Sequence, residues 1–131
     1  MEKFADSKQL LSHYDDQFKE DVNDLVFLCH GLAKDAGWHD GHQRETGTLL
    51  CLIHSEISEA MEGDRKNKMD DHLPHRKMFE VELADAMIRI CDLAGREGLD
   101  LGGALVEKLK YNQRRADHKP ENRSKEGGKS Y

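Results

Sequence analysis

Residues 46–63 read TGTLLCLIHSEISEAMEG and residues 79–90 read FEVELADAMIRI. Both place apolar residues at three- and four-residue steps, the period of a helix with one buried face. In the first, Leu49, Leu50, Leu52, Ile53, Ile57, Ala60 and Met61 form a wide apolar arc. Glu56 nevertheless projects about 60° from Ile53 and falls between Leu49 and Leu52, inside that arc. Glu59, three residues on, lies at its edge, so the two carboxylates can present oxygens to one point. The second stretch repeats the device, with Glu82 and Asp85 three apart among apolar neighbours. Twenty-two residues, 60 to 81, separate the pairs. That interval lets one helix end and an antiparallel helix return with its acids at a similar level.

The flanking sequence is also written for helices, with only two prolines, Pro74 and Pro120, and few β-branched residues. Phe18, Val22, Leu25, Val26, Cys29 and Leu32 predict a long, core-facing helix over Asp15–Ala36, ended by Gly37. The first acidic stretch predicts a helix over Thr46–Glu62 stopped by Gly63. A polar connector, Asp64–Pro74, leads to a third helix over His75–Glu97, and a fourth spans Leu101–Ala116. The expected fold is all-α, an antiparallel bundle of four main helices occupying residues 1–116. Residues 117–131, DHKPENRSKEGGKSY without its neighbours' apolar content, read as a mobile polar tail.

Only 37% of the 131 residues are hydrophobic and 35% are charged, which gives a single copy a thin core and predicts a homo-oligomer, dimer or tetramer. The net charge of −6 argues against a nucleic-acid polymer as partner, because backbone binding rests on Lys and Arg. Cys29, Cys51 and Cys91 lie in apolar stretches without CxxC spacing, the pattern of buried, reduced thiols in a cytoplasmic protein. No signal-peptide core or apolar run of membrane-spanning length is found in the sequence.

Four ionised carboxylates in a half-buried site repel one another, and a divalent cation resolves the conflict. All-oxygen donors suit a hard ion, so Mg²⁺ is the expected cofactor, with Mn²⁺ as substitute. Single ExxE pairs are common on solvated helix faces; two pairs on adjacent helices, one set among leucines, are not. The order Glu56-x-x-Glu59, spacer, Glu82-x-x-Asp85 resembles the MazG-like all-α nucleotide pyrophosphohydrolases. LIHSEISEAMEG (52–63) and EVELADAMIRICDLA (80–94) are similar to that family's two metal helices, and EKLKYNQRR (107–115) to its Lys- and Asn-bearing segment.

The resemblance implies hydrolysis of a (deoxy)nucleoside triphosphate to monophosphate and pyrophosphate in a short, phage-type enzyme, with dGTP or GTP as one possible preference. Glu56, Glu59, Glu82 and Asp85 would be metal ligands and catalytic groups, one glutamate orienting water. Lys108, Asn112 and Arg115 share a helix face and could neutralise phosphate. Trp38, the only tryptophan, could stack on a base or serve as an ordinary packing anchor. His54 reads as a packed or surface residue. Glu-x-x-His and HExxH are absent, which discounts di-iron and zincin chemistry. The non-enzymatic alternative is a helical interaction module held by intersubunit salt bridges.

Overall fold

The computed structural model describes residues 6–115, and every regular element within them apart from one isolated bridge is α-helical. The helices are α1 (Ser7–His13), α2 (Asp15–Asp35), α3 (Thr46–Arg65), α4 (Met78–Arg96) and α5 (Leu101–Arg114). The expected tail at 117–131 lies outside the described residues. No described helix is long and apolar enough to cross a membrane.

The chain divides into two compact units. Among the described residues, one comprises 6–23 and 100–115, the other 24–99. In the second, α3 and α4 are the principal packed pair. Gly63 approaches Met78, Glu56 bonds Arg89, and Thr46 bonds Glu97, so partner numbers fall along α4 as they rise along α3 and the pair is antiparallel. Gly63 does not stop α3. The helix continues to Arg65, because a side chain at Gly63 would meet Met78 Cγ at 2.8 Å and the residue is needed as a close-packing point.

The connector closes on itself. Met69 and Lys77 form an antiparallel bridge, and the Asp70 carboxylate accepts from the N–H groups of His72 and Leu73. These bonds hold residues 75–77 out of the helix, so α4 starts at Met78, where Glu80 accepts from the Lys77 N–H. α2 ends as expected at Gly37 (φ +86°), with Trp38 N–H bonded to Ala33 O and Gly37 N–H to Lys34 O. This is a Schellman turn, which folds Trp38 and His39 back over the end of α2.

In the first unit, α1 was not anticipated from the sequence. It is seven residues long and capped by Asp6, whose carboxylate accepts from Gln9 N–H. Leu10 and Leu11 of α1, Phe18 and Val22 of α2, and Leu105 and Leu109 of α5 line an apolar cleft of ≈ 290 Å³. Asp100 caps α5 and accepts from Asn23, whose own oxygen accepts from Gly102 N–H. Gly102 is required there, since a Cβ would collide with the Lys19 carbonyl.

The core is thin. Of the predicted inward residues of α2, only Val26 is buried, while Leu25 and Leu32 are exposed. The cysteines are free, but only Cys91 is fully buried, and Cys51 is exposed. Cys51 falls about 160° from the centre of the α3 apolar arc, which an apolar neighbourhood in sequence does not reveal.

Candidate metal centre

Helix α4 carries Glu82, Asp85, Arg89, Asp92 and Arg96 at alternating steps of three and four. At 100° per residue they stay within about 80° of one another, a stripe of ionisable groups along one face. Glu82 and Asp92 are buried, and the other three are half-buried. The antiparallel pairing sets Glu56 and Glu59 of α3 against the first half of this stripe.

The structure brings three of the four expected acids together. A carboxylate oxygen from each of Glu56, Glu59 and Glu82 lies within 4.8 Å of the others. Asp85 stands beside this trio, hydrogen-bonded to Glu82 and in the field of Glu56. Burial pushes the Glu82 carboxyl up to about 8, aided by a hydrogen bond with Glu56 and the charges of Glu59, Asp85 and Glu56. Asp85 is also pushed up, first by burial and then by the Glu56 charge, against the lowering effects of the Glu82 hydrogen bond and Arg89.

The stripe contributes a cation that the sequence reading did not single out. Arg89 Nε donates to Glu56 Oε1 at 2.9 Å, and its guanidinium lies 5.2 Å from the centre of the Trp38 ring. Trp38 is thus one residue removed from the acids. The continuation of the three-four spacing beyond Asp85 is the signal that could have found Arg89.

The donor set fits a hard divalent cation. It is all oxygen, it concentrates negative charge where burial already favours protonation of Glu82, and among the described residues the one ion pair of Arg89 is with Glu56. Glu59 is exposed, leaving one side open to solvent and ligand. His54 is also exposed and belongs to no cluster of metal-capable donors among the described residues.

Lys108, Asn112 and Arg115 belong to the other unit. Lys108 Nζ and the Arg115 guanidinium lie 4.7 Å and 5.9 Å from the Tyr111 ring centre. Asn112 Oδ1 is buried without a hydrogen bond among the described residues. It is Lys110 that makes an ion pair, with Asp15 at 2.6 Å, and this bond holds the Asp15 carboxyl below its ordinary range.

A second cluster sits further along α4. His30 Nδ1 and His39 Nε2 both meet Asp92 Oδ1, at 2.9 Å and 2.8 Å. No spacing in the sequence joins these three residues. Comparisons with family models, curated proteins and solved structures returned no match.

Proposed function

We propose that the chain is a Mg²⁺-dependent nucleoside triphosphate pyrophosphohydrolase, cleaving between the α and β phosphates. The observation that carries this reading is the convergence of Glu56, Glu59 and Glu82 from two antiparallel helices, with the Glu82 carboxyl driven up to about 8. A structural ion-pair network would balance its acids with bases; this trio has one arginine, on one member.

Glu56, Glu59, Glu82 and Asp85 would hold the metal. When bound, Mg²⁺ supplies neutralisation of phosphate charge and polarises the phosphoryl oxygen. Glu59, the exposed member, orients the attacking water and takes its proton. Arg89 fixes the Glu56 carboxylate and brings positive charge to the phosphate side. Trp38, stacked on Arg89, offers the remaining ring surface to a nucleobase. Lys108, Asn112 and Arg115 stay as proposed phosphate ligands on the sequence argument alone. Exposed apolar side chains on α2, α3 and α4 support self-association as part of the same reading.

The test is incubation with the common ribo- and deoxyribonucleoside triphosphates, with Mg²⁺ or EDTA, followed by ion-exchange separation of products. Monophosphate plus pyrophosphate, formed only with metal, is the expected result and gives the base preference at once. Diphosphate plus phosphate would overturn the cleavage site. Absence of turnover with every substrate would favour the interaction-module alternative.

A further inference from the structure

A cleft of ≈ 330 Å³ opens within residues 24–99, beside the second cluster of α4, and none of the carboxylate trio lines it. His30, Lys34, Trp38, His39, Arg44 and Arg96 line it with three small or polar neighbours, and none of its lining residues is acidic. In a chain of net charge −6, an all-cationic and neutral lining is a local reversal.

Arg96 supplies the independent sign of a missing partner. Its side chain is only 10% exposed, yet Nη1 is buried and makes no hydrogen bond among the described residues. Nη2 donates to the Arg44 carbonyl at 2.5 Å, and Nε stands 3.9 Å from Glu97. A buried guanidinium N–H without an acceptor is costly, and the group that satisfies a planar arginine fork best is an oxyanion.

The surrounding structure is built to hold this arrangement. Asp92, buried on α4, engages one nitrogen of each imidazole, which orients both rings and leaves His30 Nε2 and His39 Nδ1 uncommitted to it. The rings stand 5.1 Å apart, edge to face. Gly95, one turn after Asp92, admits His30 against the helix, since a Cβ there would lie 2.5 Å from His30 Cβ. The Schellman turn delivers His39.

We propose that this cleft is a phosphoryl-oxyanion site, in which Arg96, Arg44 and Lys34 hold a free phosphate or the phosphates of a polyphosphate tail. The inference goes beyond the hydrolase reading and does not depend on it. His30, His39 and Asp92 also have metal-capable donor atoms. A dication there would face Lys34, Arg44 and Arg96, with one carboxylate already engaged by both imidazoles, so the charge balance favours an anion.

Calorimetric titration of the full chain in EDTA, at fixed ionic strength, isolates the cleft, because without divalent metal the carboxylate trio repels phosphate. The probes are pyrophosphate, inorganic phosphate and deoxyguanosine. Saturable pyrophosphate or phosphate binding is expected, weakened at least about tenfold in Arg96→Gln and in Lys34→Gln/Arg44→Gln, and retained in Glu82→Gln. Tighter pyrophosphate than phosphate assigns a polyphosphate tail; equal affinity assigns a single phosphate. If Arg96→Gln loses its helical circular dichroism, the exposed Lys34/Arg44 variant decides. No binding in EDTA, binding indifferent to Lys34 and Arg44, binding that needs added Zn²⁺, or binding of the uncharged nucleoside alone would each overturn the proposal.

Discussion

Glu82 concentrates the conflict of the site in one carboxyl group, which has consequences without any turnover. Its folded-state pKa of about 8 exceeds the ordinary 4.5, so the folded protein favours the protonated acid more than the unfolded chain does. The stability it contributes is therefore present below about pH 4.5 and is lost as pH rises toward about 8. The metal-free protein should accordingly show a Tm that falls across that window, and Mg²⁺ should reverse the trend. An ion held by Glu82 would displace its proton, so calorimetry near neutral pH in buffers of different ionisation enthalpy should register proton release on Mg²⁺ binding. A pH-independent Mg²⁺ affinity would count against Glu82 as ligand. Glu82→Gln separates ligation from folding. It keeps volume and removes charge, so the metal-free variant should melt at or above the wild-type Tm at pH 8, while turnover falls at least about a hundredfold.

At the scale of the element, helix packing depends on which glycines are contact points. Gly95 and Gly31 are both helical, and propensity alone predicts that alanine at either stabilises by roughly 0.5–1 kcal/mol. A Cβ at Gly31 meets nothing within 4 Å, whereas one at Gly95 meets His30 Cβ at 2.5 Å and Cγ at 2.8 Å. Gly31→Ala should therefore raise the denaturation midpoint, and Gly95→Ala should destabilise by about 1–3 kcal/mol through overpacking. Equal effects in urea melts would refute the contact. The same contrast marks what the sequence could disclose. The apolar period and the acid spacing made the α3–α4 hairpin and the Glu56, Glu59, Glu82 convergence legible, because both follow from 100° per residue. Gly63 reads as a stop because a helix-ending glycine and a close-packed one look alike until the neighbour, Met78, is known. α4 starts at Met78 rather than His75 because a tertiary bridge, Met69 to Lys77, overrides local propensity there. Asp92 could not be joined to His30 and His39, which lie 62 and 53 residues away. Their meeting depends on a turn and a glycine contact that no spacing rule encodes.

For the whole molecule, the question is what makes so small a core sufficient. Among the described residues the buried hydrophobic ones are Val26, Ala33, Ala60, Ala86, Cys91, Ala94 and Val106, mostly small side chains. Phe27 is 83% exposed, and Leu28 and Leu32 of α2, Met61 of α3 and Met87 of α4 are each more than half exposed. Burying one such side chain contributes roughly 1.5–3 kcal/mol, so covering several would add as much as a small domain's whole net stability. A second copy is the surface always available at matching concentration, and a symmetric contact uses the same patch twice. Light scattering after gel filtration should return a multiple of 15.0 kDa for the wild type. Leu28→Glu with Phe27→Asp, which places two carboxylates on the exposed side of α2, should shift the mass downward and lower the Tm. Because association stabilises by mass action, the wild-type Tm should also rise with protein concentration, and that of the variant should not. A wild type that elutes at 15.0 kDa with a concentration-independent Tm would show that the thin core suffices unaided, and the exposed apolar face of α2 would then need a different account.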